Sequence, residues 1–195
     1  IQEVAALQPD YMGFIFYPKS PRNFEKDIPE ISKDIKKTGV FVDAKIDFII
    51  DKVSTYNFLA VQLHGSETAD YCIKLKKLAP ALEIFKVFGI KDSFDFSALD
   101  PYEGIVDYFL FDTKGKEKGG NGYTFDWSVL KQYKSKTPII LSGGIGPEEF
   151  NEIEKILKTD LPIYALDINS KFETKPGLKD IELLNQFIEK VNKLT

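Results

Sequence analysis

Three observations predict an α/β fold built on a parallel sheet. Short apolar runs begin near Tyr11 (YMGFIFY), Gly39 (GVFV), Leu59 (LAVQLH), Glu83 (EIFKVFGI), Tyr108 (YFLFD), Pro138 (PIILSGG) and Ile163 (IYALDINS). Their spacing leaves room for a loop, a helix and a loop, and most of the intervening segments carry helical periodicity. Polar residues or glycines end almost every run: Tyr17-Pro-Lys-Ser, Asp43, His64-Gly65, Asp112, Gly143-Gly144 and Asp167-Ile-Asn-Ser170. An open doubly wound sheet concentrates its ligand site near one switch point, whereas a ring of strand-end chemistry suits the upper face of a (β/α)8 TIM barrel. The barrel needs eight strands. Gln2-Glu-Val-Ala-Ala-Leu-Gln8 reads as the tail of a helix, so the first β-strand and the start of the first helix are expected to precede Ile1. Residues 1–195 therefore read as one barrel domain, incomplete at its N-terminus.

The helices follow from spacing. In Glu67–Leu78, apolar Tyr71, Leu75 and Leu78 recur at helical intervals and lysines occupy the other face. Pro147 opens the segment to Leu157 where a first turn tolerates proline, and Glu148 and Glu149 suit the positive end of a helix. From Ile181 to Leu194, Leu184, Phe187, Ile188 and Val191 share one side.

Composition excludes several classes. With 195 residues, 43% hydrophobic and 29% charged, the chain can bury a substantial core. Net charge is -4, and the lysines are spread along the chain, which argues against nucleic acid as a partner. No apolar run approaches the roughly 18 residues of a membrane span. One cysteine allows no disulfide within the chain, and a reducing cytoplasm is the expected compartment. One histidine and one cysteine give no structural zinc spacing.

Strand alternation indicates which side chains face the barrel interior. In Val61-Gln62-Leu63-His64 the two polar residues share a face, and in Phe109-Leu110-Phe111-Asp112 the phenylalanines face outward, leaving Leu110 and Asp112 inside. Asp112 then stands on the rim, placed for general-acid work; the competing role is a loop cap through backbone N–H groups. Gly143-Gly144 would follow strand seven of a complete barrel and Asn169-Ser170 strand eight, the order of a phosphate site. The plainer alternative is a tight strand–helix turn. Arg22 is the one arginine in the sequence, in a loop stiffened by Pro18 and Pro21. Its planar fork matches a carboxylate as lysine cannot, although chance placement is the alternative. His64 suits either acid–base chemistry or a structural hydrogen bond. Cys72 falls in mid-helix among packing positions and reads as an inert buried thiol.

Tyr11-Met-Gly-Phe-Ile-Phe-Tyr-Pro-Lys-Ser-Pro-Arg22, Gly39-Val-Phe-Val42, Val61-Gln-Leu-His-Gly65, Asp112 with Gly119-Gly120-Asn-Gly122 and Phe125-Asp-Trp127, Leu141-Ser-Gly-Gly144, and Asp167-Ile-Asn-Ser-Lys-Phe-Glu173 with Pro176-Gly-Leu-Lys-Asp180 occur in order along the chain. Together they resemble the phosphoribosylanthranilate isomerase family. The resemblance implies a barrel enzyme of tryptophan biosynthesis that converts N-(5-phosphoribosyl)anthranilate into 1-(2-carboxyphenylamino)-1-deoxyribulose 5-phosphate, an Amadori rearrangement using no metal or organic cofactor. It implies that Asp112 protonates the furanose ring oxygen as general acid and that Arg22 meets the anthranilate carboxylate. Gln62 and His64 then belong to the substrate site, and the loop with Gly119 and Gly120 covers the sugar phosphate. Gly143, Gly144, Asp167, Asn169 and Ser170 belong to the phosphate site. The partner is a phosphorylated small molecule, and relatives with this barrel occur as monomers or homodimers.

The family's general base is a cysteine in a Lys-x-Cys-Gly type motif on the first strand, which Cys72 matches neither in motif nor in position. An acid without its base is expected to cost about 10²–10⁴-fold in rate, so activity of the complete protein and of residues 1–195 are separate expectations. The alternatives are a non-catalytic phosphate-ligand-binding barrel and another phosphate-binding barrel enzyme, such as indole-glycerol-phosphate synthase. The synthase uses strand-end lysine and glutamates; here the corresponding region gives Phe85-Lys-Val87 with no matching glutamate after it.

Overall fold

A computed structural model describes residues 1–91, 93–113 and 126–194. The chain forms two compact units, one of Ile1–Val87 with Gly104–Tyr108, the other of Phe88–Glu103 with Phe109–Thr195.

In the first unit α1 (Gln2–Ala5) leads into β1 (Tyr11–Phe16), followed by β2 (Lys36–Phe41), α2 (Ile46–Tyr56), β3 (Ala60–Leu63), α3 (Ala69–Leu78) and β4, which starts at Glu83 and ends at Ile90. These strands pair in parallel and in chain order, with Ile15 opposite Val40, Val40 opposite Gln62 and Gln62 opposite Phe85. In the second unit β5 (Tyr108–Thr113), β6 (Ile139–Leu141) and β7 (Ile163–Leu166) do the same. Neighbours in space that are neighbours in sequence, with no reversal within either unit, give the winding of a barrel sheet. A doubly wound sheet would reverse at its switch point.

All seven apolar runs are strands, and β2 begins three residues before Gly39. Buriedness on both faces explains why they lack strict alternation: every residue of β3 is buried, as are Phe109, Leu110 and Phe111 of β5. At the amino ends of the strands, Glu83 accepts hydrogen bonds from the Tyr11 hydroxyl at 2.8 Å and from Lys36 Nζ at 2.5 Å. Asp107 accepts from Lys76 Nζ at 2.7 Å and from the Ile84 N–H at 2.8 Å. The first set ties the starts of β1 and β2 to that of β4, and the second ties the last turn of α3 to the start of β4.

The connections depart from a regular strand–helix alternation. No helix lies between β1 and β2; the chain folds back so that Asn23 bridges Ile15. Residues Phe96–Tyr102 and Trp127–Gln132 form 3-10 turns in place of full helices. Each is started by an aspartate that takes a nearby serine N–H, Asp95 with Ser97 and Asp126 with Ser128, and Pro101 interrupts the first. Phe111 packs against Phe96 on the first turn, Phe94 just before it and Tyr133 just after the second. Pro147–Glu149 is a 3-10 turn that becomes α4 (Phe150–Leu157). After β7 a turn at Ser170–Phe172 leads to a small hairpin, β8 (Glu173–Lys175) with β9 (Leu178–Lys179), and then α5 (Ile181–Val191). In α5 the Asp180 carboxylate caps the Leu183 N–H at 3.0 Å, and Leu184 and Phe187 are buried as the periodicity predicts.

In α3 the buried stripe is rotated from the predicted one. Thr68 caps the Tyr71 N–H, Cys72 and Leu75 are buried, and Leu78 is 63% exposed. Cysteine behaves here as a small hydrophobe and takes the inward position that a stripe through Tyr71 and Leu78 would have given elsewhere. Leu75→Ala is therefore expected to cost about 2–5 kcal/mol of folding stability, and Leu78→Ala less than about 0.5 kcal/mol. Urea unfolding monitored by circular dichroism measures both; equal costs would contradict the stripe.

Candidate active site

Every site residue named from sequence that falls among the described residues lies at or just beyond the carboxyl end of a parallel strand, the side on which barrel enzymes carry their chemistry.

In the first unit, β1 runs out into a compact loop. The Ser20 N–H bonds Tyr17 O at 2.8 Å, the Arg22 N–H bonds Ser20 Oγ at 3.1 Å, and the Phe24 N–H returns to Ile15 O at 2.7 Å. Two turns and a bridge thus fix the backbone on both sides of half-buried Arg22. At the end of β3, buried Gln62 and half-buried His64 share a face as expected, with Gln62 Nε2 and His64 Nδ1 at 2.9 Å. The His64 N–H continues the ladder to Phe41 O at 2.8 Å. Cys72 is sealed in α3, where burial, the largest influence, pushes its thiol up to about 11. A thiol so protected is a packing group and not a nucleophile.

In the second unit, Asp112 is half-buried near the end of β5, immediately after fully buried Phe111. Gly143 and Gly144 follow β6 with φ of 82° and 70°, a left-handed path that a side chain would strain. The pair makes a sharp exit from β6. Ser142 Oγ donates to Asp167 Oδ2 at 2.8 Å, and the Asp167 N–H bonds Leu141 O at 2.7 Å, so the ends of β6 and β7 are stitched together. Asn169 and Ser170 form the next turn. Lys179 on β9 holds it, donating to Asn169 O at 2.9 Å, to Asn169 Oδ1 at 2.5 Å and to the Glu173 carboxylate at 3.1 Å. The Glu173 side chain is 3% exposed. Gly119 and Gly120 lie outside the described residues.

The structure joins Gln62 with His64, and Asp167 with Ser142. Sequence reasoning missed the supports: Ser142, Glu173 and Lys179, and a buried pair, Glu67 with Lys86. The lysine of the Phe85-Lys86-Val87 strand meets that pair's carboxylate and carbonyls of its own unit. A charged residue inside an otherwise apolar strand was the available signal. Among the described residues no helix is long and apolar enough to cross a membrane.

The model of the N-(5'phosphoribosyl)anthranilate (PRA) isomerase family matches residues 1–190. An N-(5'-phosphoribosyl)anthranilate isomerase of Parabacteroides distasonis is 44% identical over 98% of this chain and 87% of its own length. The crystal structure of phosphoribosyl anthranilate isomerase from Thermus thermophilus superposes with a TM-score of 0.81 at 23% identity, covering 99% of this chain and 92% of that one, which shows the barrel fold. A phosphoribosyl anthranilate isomerase solved with reduced 1-(o-carboxyphenylamino)-1-deoxyribulose 5-phosphate has a TM-score of 0.76 at 27% identity, covering 99% of this chain and 94% of that one. The chain belongs to the N-(5'-phosphoribosyl)anthranilate isomerase family, and its activity is the isomerisation of tryptophan biosynthesis that this family carries out.

Proposed function

We propose that Asp112 is the general acid of the Amadori rearrangement and that the remaining strand-end residues bind the two anionic ends of N-(5-phosphoribosyl)anthranilate. The observation that carries the assignment is a half-buried carboxylate at the end of β5, in the same unit as a paired-glycine loop with both φ angles positive. Asp112 gives its proton to the furanose ring oxygen, the ring opens to a Schiff base, and loss of the C2 proton leads to the ketose. Cys72, buried in α3, takes no part as a base.

The phosphate rests on backbone N–H groups around Gly143, Gly144, Asn169 and Ser170, which offer partial positive charge without a long side chain. Asp167 supports this cradle through Ser142, and its carboxylate holds the two strand ends in register. Arg22 takes the anthranilate carboxylate through its planar fork. Gln62 and His64, paired through Nε2 and Nδ1 at 2.9 Å, meet the substrate from the end of β3. The relative solved with the reduced product supports a ligand carrying a carboxylate at one end and a phosphate at the other.

Asp112→Asn keeps the shape and removes the proton. It is expected to lower kcat about 10²–10⁴-fold with KM near that of the parent, measured with freshly generated phosphoribosylanthranilate; kcat within tenfold of the parent would overturn the assignment. Arg22→Lys keeps the charge and loses the fork, and should raise KM about tenfold or more. An unchanged KM would remove Arg22 from the carboxylate site.

A further inference from the structure

Lys86 and Glu67 form an ion pair with Nζ and Oε2 at 3.2 Å, and their side chains are 3% and 1% exposed. Neither residue belongs to the site described above. Burying two full charges is costly unless every donor and acceptor is used, and here the partners are specific. Lys86 Nζ donates to Leu63 O at 3.2 Å, Gly65 O at 2.9 Å and Val87 O at 3.2 Å as well as to Glu67. Glu67 accepts from the Gly65 N–H at 2.9 Å through Oε2 and from the Asp43 N–H at 2.8 Å through Oε1.

His64 sits between two of these anchors. Lys86 grips the carbonyls of the residues immediately before and after it, and Glu67 takes the N–H of the residue after it. The neighbouring loop is locked into the same network. Asp43, at φ 49°, accepts the Ser66 N–H at 2.6 Å, and a Cβ on Gly65 would collide with the Asp43 side chain. The end of β3 therefore cannot turn without breaking charge-assisted bonds inside the protein. An apolar pair of similar volume would fill the space but would leave the Leu63, Gly65 and Val87 carbonyls without their donor.

We infer that Lys86 and Glu67 are positioning residues for the isomerisation: they fix the backbone on both sides of His64 so that its ring meets the substrate in one orientation. The inference rests on the reading of His64 as a substrate-side residue. Neither Lys86 nor Glu67 touches substrate.

A double-mutant cycle on the full-length enzyme tests it, with Lys86→Met, His64→Ala and the pair assayed for kcat and KM, and folding checked by thermal melting. Lys86→Met is expected to lower kcat/KM about tenfold or more in the parent but less than about twofold in the His64→Ala background, because positioning has no value once the ring is gone. A purely structural role costs both backgrounds alike, and equal factors would overturn the inference. Glu67→Gln keeps the side-chain size and the carbonyl acceptors of Lys86 at Leu63, Gly65 and Val87; it runs through the same cycle with the same expected outcome, so a Lys86→Met chain that fails to fold leaves the test intact. Full activity of His64→Ala would overturn the His64 reading and the positioning role together. A large loss in His64→Ala with additive effects of Lys86→Met would overturn the positioning role alone.

Discussion

An ammonium group closed off from water in the middle of β4 sets the terms for the first unit. Lys86 has to be met by acceptors, and the acceptors it finds are the carbonyls at the end of β3 and the Glu67 carboxylate. Glu67 in turn has to be met by donors, and takes the N–H groups of Asp43 and Gly65. Satisfying one buried charge thus dictates the path of two strand–helix connections. Those connections carry the polar residues of the first unit's strand ends, so an electrostatic requirement of folding becomes a geometric property of the site.

The second unit reaches the same end by other means. At the exits of β6 and β7 a neutral hydroxyl joins a carboxylate, Ser142 to Asp167, and a partly exposed lysine ties Asn169 to Glu173. An anion-binding surface made from backbone N–H groups needs its polypeptide held still more than it needs side chains aimed at the ligand. The hairpin of β8 and β9 has that effect: it presents Lys179 from a short, braced element.

Much of this was legible in the sequence, because parallel strands buried on both faces leave dense apolar runs and their ends leave polar punctuation. The placement of Asp112, Gln62, His64 and residues 143–144 and 167–170 at strand ends, and of Arg22 in the loop after β1, was visible for that reason. Three things were not. The 3-10 turns at Phe96–Tyr102 and Trp127–Gln132 depend on aspartate–serine caps that compete with helix formation, a local effect that apolar periodicity does not register. The burial of Cys72 on α3 was expected, but the stripe does not run on to Leu78, which is 63% exposed. Lys86 and Glu67 are distant in sequence, and nothing in either local pattern announces that their charges meet inside the fold.

The contact of Tyr11, Lys36 and Glu83 lies at the amino ends of its strands, opposite to the ends where Arg22, Gln62 and His64 are proposed to meet substrate. Drift at these three positions alters how durable the scaffold is and leaves the loops at the carboxyl ends of the strands alone. A lineage adapting to heat or cold therefore has ground on which to adjust without renegotiating its reaction. Directed evolution has the same freedom: thermal tolerance can be selected at one end of the strands while specificity is selected at the other.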